Sequence, residues 1–212
     1  MKLFVVVGLC LILAGCGDSS SAISPPTNVA GSSLTGVVKG EDGAPLSGVQ
    51  LVAMERVSHE TRKATSEADG TFTLLLAGGV YDVGLDAEDD PTTATCFYGP
   101  LSVTGQQSHN FVVRNAGDRP AGQVFGRILS QDGLPAANRS ISLRPGFAKN
   151  ADVSLREAVL SSTTEADGSF QMELPFAADA GLDLELNNDD GTLDEFIDFG
   201  KKAKPCYLEI SG

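Results

Sequence analysis

The feature that most constrains this chain is an internal duplication. The segment GVVKGEDGAP at 36–45 returns as GRILSQDGLP at 126–135, a shift of 90 residues. A second segment, TSEADGTF at 65–72, returns as TTEADGSF at 163–170, a shift of 98 residues. The chain therefore contains two copies of one structural unit, and the second copy has eight additional residues between the two repeated segments.

Short runs of alternating apolar and polar residues predict that each copy is built from strands. Phe72, Leu74 and Leu76 recur at every second position, as expected of a strand with one buried face. Asp-Gly dipeptides, which favour tight turns, separate such runs at 42–43, 69–70, 132–133 and 167–168. The pattern predicts an all-β protein of two tandem sandwiches, at 34–115 and 122–212, joined through residues 115–121.

The repeated motifs resemble those of the carboxypeptidase regulatory-like domain, a transthyretin-like fold. The resemblance rests on Gly-x-Val/Ile, Asp-Gly-x-Pro and Thr-x-Glu-Ala-Asp-Gly-x-Phe in both copies, and on AGGVYDV at 77–83 in the first. It implies two prealbumin-like β-sandwiches of seven strands each, in a domain type commonly strung in tandem at bacterial surfaces. The second copy departs from the pattern, with Leu182 where the first copy has Tyr81.

The N-terminus has the order of a secretory signal peptide. A short charged start, MK, precedes the apolar run LFVVVGLCLIL at 3–13 and the small residues Ala14 and Gly15. An apolar run of about a dozen residues is too short to cross a bilayer, which takes about 20 helical residues. We therefore expect residues 1–15 to be a signal peptide that is removed.

The quartet LAGC at 13–16 resembles the lipobox of bacterial lipoproteins. The resemblance implies that Cys16 becomes the first residue of the mature chain, carries acyl chains such as palmitate, and anchors the protein in the membrane of the cell envelope. Gly17 follows the cysteine, which favours the outer membrane if the host is Gram-negative. Residues 16–33 are rich in Ser, Gly and Pro and form a flexible tether.

The charge of the chain excludes one class of partner. The full chain has a formal net charge of −13, and loss of Lys2 with the signal peptide makes the mature chain one unit more negative. A surface of this sign repels phosphate backbones, so we expect no nucleic-acid partner. A protein or glycan partner stays open.

Two of the four cysteines can have a structural role in the mature chain. Cys10 leaves with the signal peptide and Cys16 is expected to be lipidated, which leaves Cys96 and Cys206. Such a pair often forms a disulfide in an oxidising compartment. The sequence does not give the distance between the two cysteines, so their pairing stays open.

The sequence offers no combination of residues typical of catalysis. The two histidines, His59 and His109, lie outside any nucleophile motif, and no Gly-x-Ser-x-Gly elbow is present. We therefore expect no enzyme activity, no catalytic residue and no cofactor. The competing hypothesis, an accessory subunit or degenerate hydrolase of transthyretin-like fold, requires polar groups from both copies to converge in one cleft.

An acidic region at 179–198 raises the question of calcium. With Gly191 as the glycine of an EF-hand loop, the first and last ligand positions would be Leu186 and Ile197, so the carboxylates of that motif are missing. An irregular site formed by Asp189, Asp190 and Asp194 stays open, and a fainter acidic cluster lies at 86–90. These residues make a calcium-stiffened spacer an alternative, although we predict no metal site.

Two segments are candidates for binding loops. Phe97 and Tyr98 belong to CFYGP at 96–100, an aromatic turn that the second copy lacks, and Phe147 and Lys149 belong to a longer loop at 144–150. Loops on rigid sandwiches often carry binding residues. The alternative is that the aromatic rings cover the end of a sandwich. Our leading hypothesis is a non-enzymatic, envelope-anchored lipoprotein that serves as a binding or spacer module.

Overall fold

The structure, a computed structural model, describes residues 31–145, 160–173, 184–187, 193–194 and 204–211. All regular structure in these ranges is β-strand, which confirms the all-β prediction. No segment of the described ranges forms a helix with the length and hydrophobicity needed to cross a membrane. The predictions for residues 1–15, Cys16, Phe147, Lys149 and the acidic pair at 189–190 lie outside the described residues.

The first copy contributes eight strands. They are β1 (Ser32–Gly40), β2 (Gln50–Glu55), β3 (Thr61–Thr65), β4 (Thr71–Leu76), β5 (Gly79–Asp86), β6 (Thr95–Val103), β7 (Gln106–Ser108) and β8 (Phe111–Val113). The described part of the second copy contributes seven. They are β9 (Gln123–Leu129), β10 (Ser140–Pro145), β11 (Leu160–Thr163), β12 (Ser169–Glu173), β13 (Leu184–Asn187), β14 (Leu193–Asp194) and β15 (Cys206–Ser211).

The two copies repeat one pattern of strand pairing. In the first copy, β1 lies between β4, which is antiparallel to it, and the short strands β7 and β8, which are parallel to it. In the second copy, β9 lies in the same way between antiparallel β12 and parallel β15. The pairs β2–β3 and β2–β5 correspond to β10–β11 and β10–β13. The duplication in the sequence is therefore a duplication of topology.

Matching turns hold the matching strands. The Asp69 carboxylate accepts hydrogen bonds from the Thr71 amide at 3.0 Å and the Thr71 hydroxyl at 2.6 Å. Asp167 and Ser169 form the same two bonds at the same two distances. The glycine that follows each aspartate has a φ of 76 to 77°, a conformation that favours glycine. These turns explain why the Asp-Gly dipeptides recur at fixed places.

A buried hydroxyl joins two loops in each copy. The Ser66 hydroxyl donates to the carbonyl of Leu46 at 2.7 Å and accepts from the amide of Val49 at 2.9 Å. In the second copy, the Thr164 hydroxyl donates to the carbonyl of Ala136 at 2.6 Å and accepts from the amide of Arg139 at 2.8 Å. Both side chains are nearly inaccessible to solvent, so each hydroxyl satisfies backbone groups that water does not reach.

One sheet crosses from the first copy to the second. Its strand order is β12-β9-β15-β6-β5-β2-β3. Strand β15 of the second copy is therefore hydrogen-bonded on one side to β9 of its own copy and on the other side to β6 of the first copy. Consecutive residues of a strand face opposite sides of a sheet. Tyr207 accordingly packs in the core of the first copy, and Leu208 packs in the core of the second. The shared sheet thus separates two hydrophobic cores.

A glycine in each copy allows the close approach of its last strand. A Cβ atom on Gly36 would lie 1.9 Å from the carbonyl oxygen of His109, and one on Gly126 would lie 1.9 Å from the carbonyl oxygen of Leu208. Neither distance is tolerable, and in both cases the obstacle is backbone. These two glycines are the first residues of the repeated 36–45 and 126–135 segments, which gives a physical reason for their recurrence.

Candidate functional site

The junction between the copies brings charged, polar and aromatic side chains together. Its central element is β15, which pairs in parallel with β6 from Cys206 opposite Thr95 to Ile210 opposite Gly99. On its other side, β15 pairs in parallel with β9. We call β15 the junction strand, since it is the only described strand of the second copy that is bonded to the first.

The prediction that Phe97 and Tyr98 lie in a loop is wrong. Both residues lie inside strand β6, and they connect the two copies. Phe97 packs against the second core, whereas Tyr98 is buried in the first core and donates a hydrogen bond to the carbonyl of Val112. The Tyr98 ring is also 6.0 Å from that of Tyr207. The aromatic segment that the second copy lacks is thus the surface on which the junction strand packs.

Lys204 fixes the leading end of the junction strand to the first copy. Its Nζ atom donates to the carbonyls of Ala87 at 2.5 Å and Asp90 at 2.8 Å, and it lies 3.3 Å from Oδ1 of Asp86. The Asp86 side chain is fully buried, and that of Lys204 is 11% exposed. Such a pair is destabilising to break, because both charges are buried and water reaches neither easily.

Arg114 of the first copy makes a second set of contacts with the junction strand. Its guanidinium group lies 4.9 Å from the ring centroid of Tyr207 and 3.6 Å from a carboxylate oxygen of Glu209. A second carboxylate, from Glu41 of the first copy, lies 3.5 Å away. The Tyr207 hydroxyl donates to Glu209 at 2.7 Å, and burial raises the pKa of this tyrosine. The junction is therefore held by charge and aromatic contacts as well as by backbone bonds.

The two cysteines at the junction are free thiols and form no disulfide. The register explains why. Cys206 lies opposite Thr95, so its side chain is on the other face of the sheet from that of Cys96, one residue further along β6. Cys96 accordingly lies in the first core, and Cys206 packs against the second. Burial raises the pKa of both thiols to about 12, which makes them poor nucleophiles in the folded protein.

A cleft opens beside the junction, between the connecting segment 115–121 and residues of strands β9, β11 and β12. Its volume is about 390 Å³. Its lining combines two aromatic side chains, three hydroxyls, an amide, one cation and one anion: Arg119, Phe125, Gly126, Ser162, Thr163, Glu165, Ser169, Phe170 and Gln171. We call this the junction cleft. The Arg119 guanidinium stacks on the Phe125 ring at 4.0 Å and forms one wall.

The lining of the junction cleft is rich in hydrogen-bonding groups and has few titratable side chains. Its titratable side chains are Arg119 and Glu165, and it contains no histidine, cysteine or lysine among the described residues. His59 lies in an exposed turn with a φ of 58°. His109 packs on Phe111 with ring centroids 4.7 Å apart, away from the cleft lining. Hydroxyl, amide and charged groups of this kind orient a polar ligand by hydrogen bonds.

Two of the acidic residues at 86–90, Asp86 and Asp90, are bonded to other groups of the protein. Asp86 faces Lys204, and one oxygen of Asp90 accepts bonds from the amide and hydroxyl of Thr92 at 2.9 and 2.6 Å. Within the described ranges, no group of three or more His, Cys, Asp or Glu side chains is arranged to hold a metal ion. Only the backbone of Asp194 is described, as part of β14.

Comparison with known proteins gives structural similarity without a family. No family model and no curated protein match the sequence. Among solved structures, the chain is similar to the Bacillus anthracis TIE protein, at 13% identity and a TM-score of 0.34 over 86% of this chain and 33% of that one. It is also similar to the Streptococcal ancillary pilin, at 12% identity and a TM-score of 0.31, over 87% of this chain and 63% of the pilin. The shaft pilin SpaA from Lactobacillus rhamnosus GG matches at 10% identity and a TM-score of 0.31, over 85% of this chain and 97% of the pilin. The chain thus spans less than two thirds of the first two proteins.

Sequence reasoning missed the residues that join the copies. Neither Lys204 nor Arg114 belongs to a recognisable motif. Lys204 contacts Asp86, and Arg114 contacts Tyr207 and Glu41, all of which are distant in the sequence. One signal was available: CFYGP at 96–100 is a feature of the first copy that the second copy lacks. A segment that breaks an internal repeat is a candidate for contact between the repeats.

Proposed function

We propose that this chain is a lipid-anchored, non-enzymatic lipoprotein of the bacterial envelope whose two copies act as one stiff spacer. The observation that supports this proposal best is the junction strand, bonded on one side to the first copy and on the other to the second. Domains joined only by a linker move relative to each other by default. A strand shared by one continuous sheet removes that freedom.

The side-chain contacts at the junction support the same proposal. Lys204 joins the junction strand to the loop after β5, and Arg114 of the first copy contacts Tyr207 and Glu209 of that strand. Phe97 extends the contact by packing a ring from the first copy against the second core. Bending between the copies would have to break a buried ion pair and expose aromatic surface, both of which are costly.

The anchor and the domain type complete the proposal. The lipobox-like quartet at 13–16 supports lipidation at Cys16, and the tether at 16–33 would hold the folded part away from the membrane. The repeated motifs support two domains resembling the carboxypeptidase regulatory-like type, at 34–115 and 122–212. A lipid-anchored spacer of this kind needs no catalytic group.

The junction cleft favours a second role, the binding of a polar ligand. Three hydroxyls, the Gln171 amide and the Arg119–Glu165 pair line a concave surface, which suits a glycan or a polar peptide segment. The spacer would then present this cleft at a fixed distance from the membrane. Cross-linking in the native envelope, followed by identification of the captured molecule, tests this role; substitution of Arg119 and Gln171 by Ala should abolish the capture.

The anchor is tested by mass spectrometry of the mature protein from cells. We expect an N-terminal peptide that begins at Cys16 and carries acyl chains. The Cys16→Ala variant should lose the lipid and the membrane association, whereas the matched Cys10→Ala variant should retain both, because residue 10 leaves with the signal peptide. An unmodified chain that begins elsewhere contradicts the anchor.

The stiffness is tested by electron-spin distance measurements on the full chain in membrane vesicles. Val57 and Leu134 are 86% and 61% exposed and lie in different copies, so cysteines at these two positions accept spin labels. The buried thiols of Cys96 and Cys206 should label poorly, and variants with a single introduced cysteine measure that background. A narrow distance distribution supports the spacer. A broad one, as for two domains on a flexible linker, contradicts it.

A further inference from the structure

The loop that follows β5 surrounds the Lys204 ammonium group with oxygen atoms of the first copy. Four oxygens lie around Nζ: the carbonyls of Ala87 at 2.5 Å and Asp90 at 2.8 Å, Oδ1 of Asp86 at 3.3 Å and the hydroxyl of Thr93 at 3.5 Å. We call these four groups the ammonium cage. Lys204 reaches the cage from a distance of more than a hundred residues along the chain.

Hydrogen bonds within the loop hold the cage oxygens in place independently of Lys204. The amide of Asp90 donates to the carbonyl of Ala87 at 3.0 Å, and the Thr93 hydroxyl donates to the carbonyl of Asp90 at 2.8 Å. The loop is also tied to the connecting segment, since the amide of Ala116 donates to the carbonyl of Thr92 at 2.7 Å. The carbonyl oxygens are therefore held by the loop's own bonds and converge on one point.

The charge and dimensions of the cage fit an ammonium ion. The carboxylate that faces the ammonium group is that of Asp86, because the Asp90 carboxylate is bonded to Thr92 instead. An ammonium group has three N–H donors and no acceptor, and the cage offers only acceptor atoms to it. Calcium requires six to eight oxygens at about 2.3 to 2.6 Å and carries twice the charge. The cage has too few oxygens, and most of them lie too far away.

We propose that the ammonium cage is a binding site for primary ammonium ions, with Lys204 as its resident ligand. A free alkylammonium ion should take the site when the lysine side chain is shortened. The proposal also assigns the cage a structural consequence. The residue after Lys204, Pro205, accepts a hydrogen bond from the amide of Thr95 at 3.0 Å, so occupation of the cage fixes the start of the junction strand. This inference concerns the chemistry of the loop and does not depend on the spacer function.

The test is chemical rescue of the full-length Lys204→Ala variant. Loss of the lysine removes the donor to the buried carbonyls of Ala87 and Asp90 and one partner of the buried Asp86, so the melting temperature should fall by about 10 °C. Ethylammonium chloride should recover most of that loss and restore the protection of amides 86–94 from hydrogen exchange. Tetramethylammonium chloride, which has the same charge and no N–H donor, should recover nothing at equal ionic strength. The matched control is Lys63→Ala, an exposed lysine on β3 whose loss should change neither quantity.

Three outcomes would overturn the proposal. The first is a Lys204→Ala variant as stable as the unaltered protein, and the second is equal recovery with tetramethylammonium, which would indicate general screening. The third is better recovery with calcium than with ethylammonium, which would make the loop a metal site.

A measurement on the unaltered protein covers the case in which the variant does not fold. With nitrogen-15 lysine labelling, the Lys204 ammonium should give a proton-coupled signal that exchanges slowly with water at neutral pH, because its protons are bonded in the cage. The exposed Lys63 ammonium should exchange too fast to be observed. Absence of a protected ammonium signal would overturn the proposal, as would loss of that signal when calcium is added.

Discussion

The two copies share their turns and their pairing, yet they close differently. The last strand of the first copy is broken into β7 and β8, and at the break the side chain of Asn110 replaces a backbone partner by accepting from the amide of Val37 at 2.9 Å. The last strand of the second copy, β15, runs unbroken over six residues and has a second neighbour. An interrupted strand offers no regular edge for further pairing, whereas an unbroken strand does. The difference shows how two duplicated units can become joined. The last strand of the first copy is interrupted and has no further neighbour, whereas the last strand of the second copy is continuous and pairs with the first copy.

The largest expected effect comes from substituting the two equivalent glycines. Gly126→Ala places a Cβ atom 1.9 Å from the carbonyl oxygen of Leu208 in the junction strand, and Gly36→Ala does the same to the carbonyl oxygen of His109. Each substitution should lower the free energy of unfolding by about 3 kcal/mol, since backbone must move to relieve the clash. Chemical denaturation measures this loss.

Hydrogen exchange then separates the two glycine variants. Gly126→Ala should release the junction strand and deprotect amides in both β9 and β6, whereas Gly36→Ala should deprotect β1 and β8 and leave β15 protected. Gly78→Ala is the matched control, because its Cβ atom would meet only the carbonyl oxygen of Val103 at an ordinary 3.8 Å. Equal deprotection of all strands by both variants would mean that the copies do not close independently.

The repeated features were predictable from the sequence because they depend on local geometry. The Asp-Gly turns and the alternation around Phe72 and Phe170 follow from backbone conformation and burial, and these act over a few residues. The same reasoning predicts the positions of the turns that precede β4 and β12, the strands that pair with β1 and β9. The strands of the first copy and the general class of the fold were therefore accessible to a single sequence.

The junction was not predictable because it depends on contacts between distant segments. Alternation predicts that Tyr207 and Leu208 face opposite sides of a strand, but it cannot predict that each side meets a different core. Phe97 and Tyr98 were interpreted as a loop because Gly99 and Pro100 follow them, yet all four residues lie within β6. Pro100 lies inside β6, and local turn chemistry does not anticipate a strand that continues through a proline.

Removal of the buried hydroxyls of Ser66 and Thr164 should have an effect of intermediate size on stability. Ser66→Ala and Thr164→Val each leave a loop carbonyl and a loop amide without their partner, namely those of Leu46 and Val49 in the first copy. Each substitution should lower the free energy of unfolding by about 2 kcal/mol, the cost of a buried polar group without a hydrogen bond. Thermal and urea unfolding measure both losses. The exposed Thr73, substituted by Val, is the control and should change the stability by less than about 0.5 kcal/mol. If only one of the two substitutions lowered the free energy of unfolding, water would be able to replace the missing hydroxyl in one loop and not in the other, despite their equal geometry.

The smallest expected effect is a dependence on pH that belongs to the first copy alone. Burial lowers the pKa of His109 from its ordinary 6.5, and the charge of Glu209 opposes this shift. The folded protein therefore binds this proton less readily than the unfolded chain, so the contribution of His109 to stability is complete above pH 6.5 and is lost as the pH falls through the lowered pKa. At the equivalent place beside Gly126, the second copy has Leu208, which does not titrate.

His109→Leu should consequently make the free energy of unfolding less dependent on pH between about pH 7 and pH 5. The turn carboxylates, whose pKa values lie lower, should titrate unchanged below that window. Urea unfolding at closely spaced pH values measures the slope. An identical slope in the variant would mean that His109 is not the group that makes the closure of the first copy sensitive to acid.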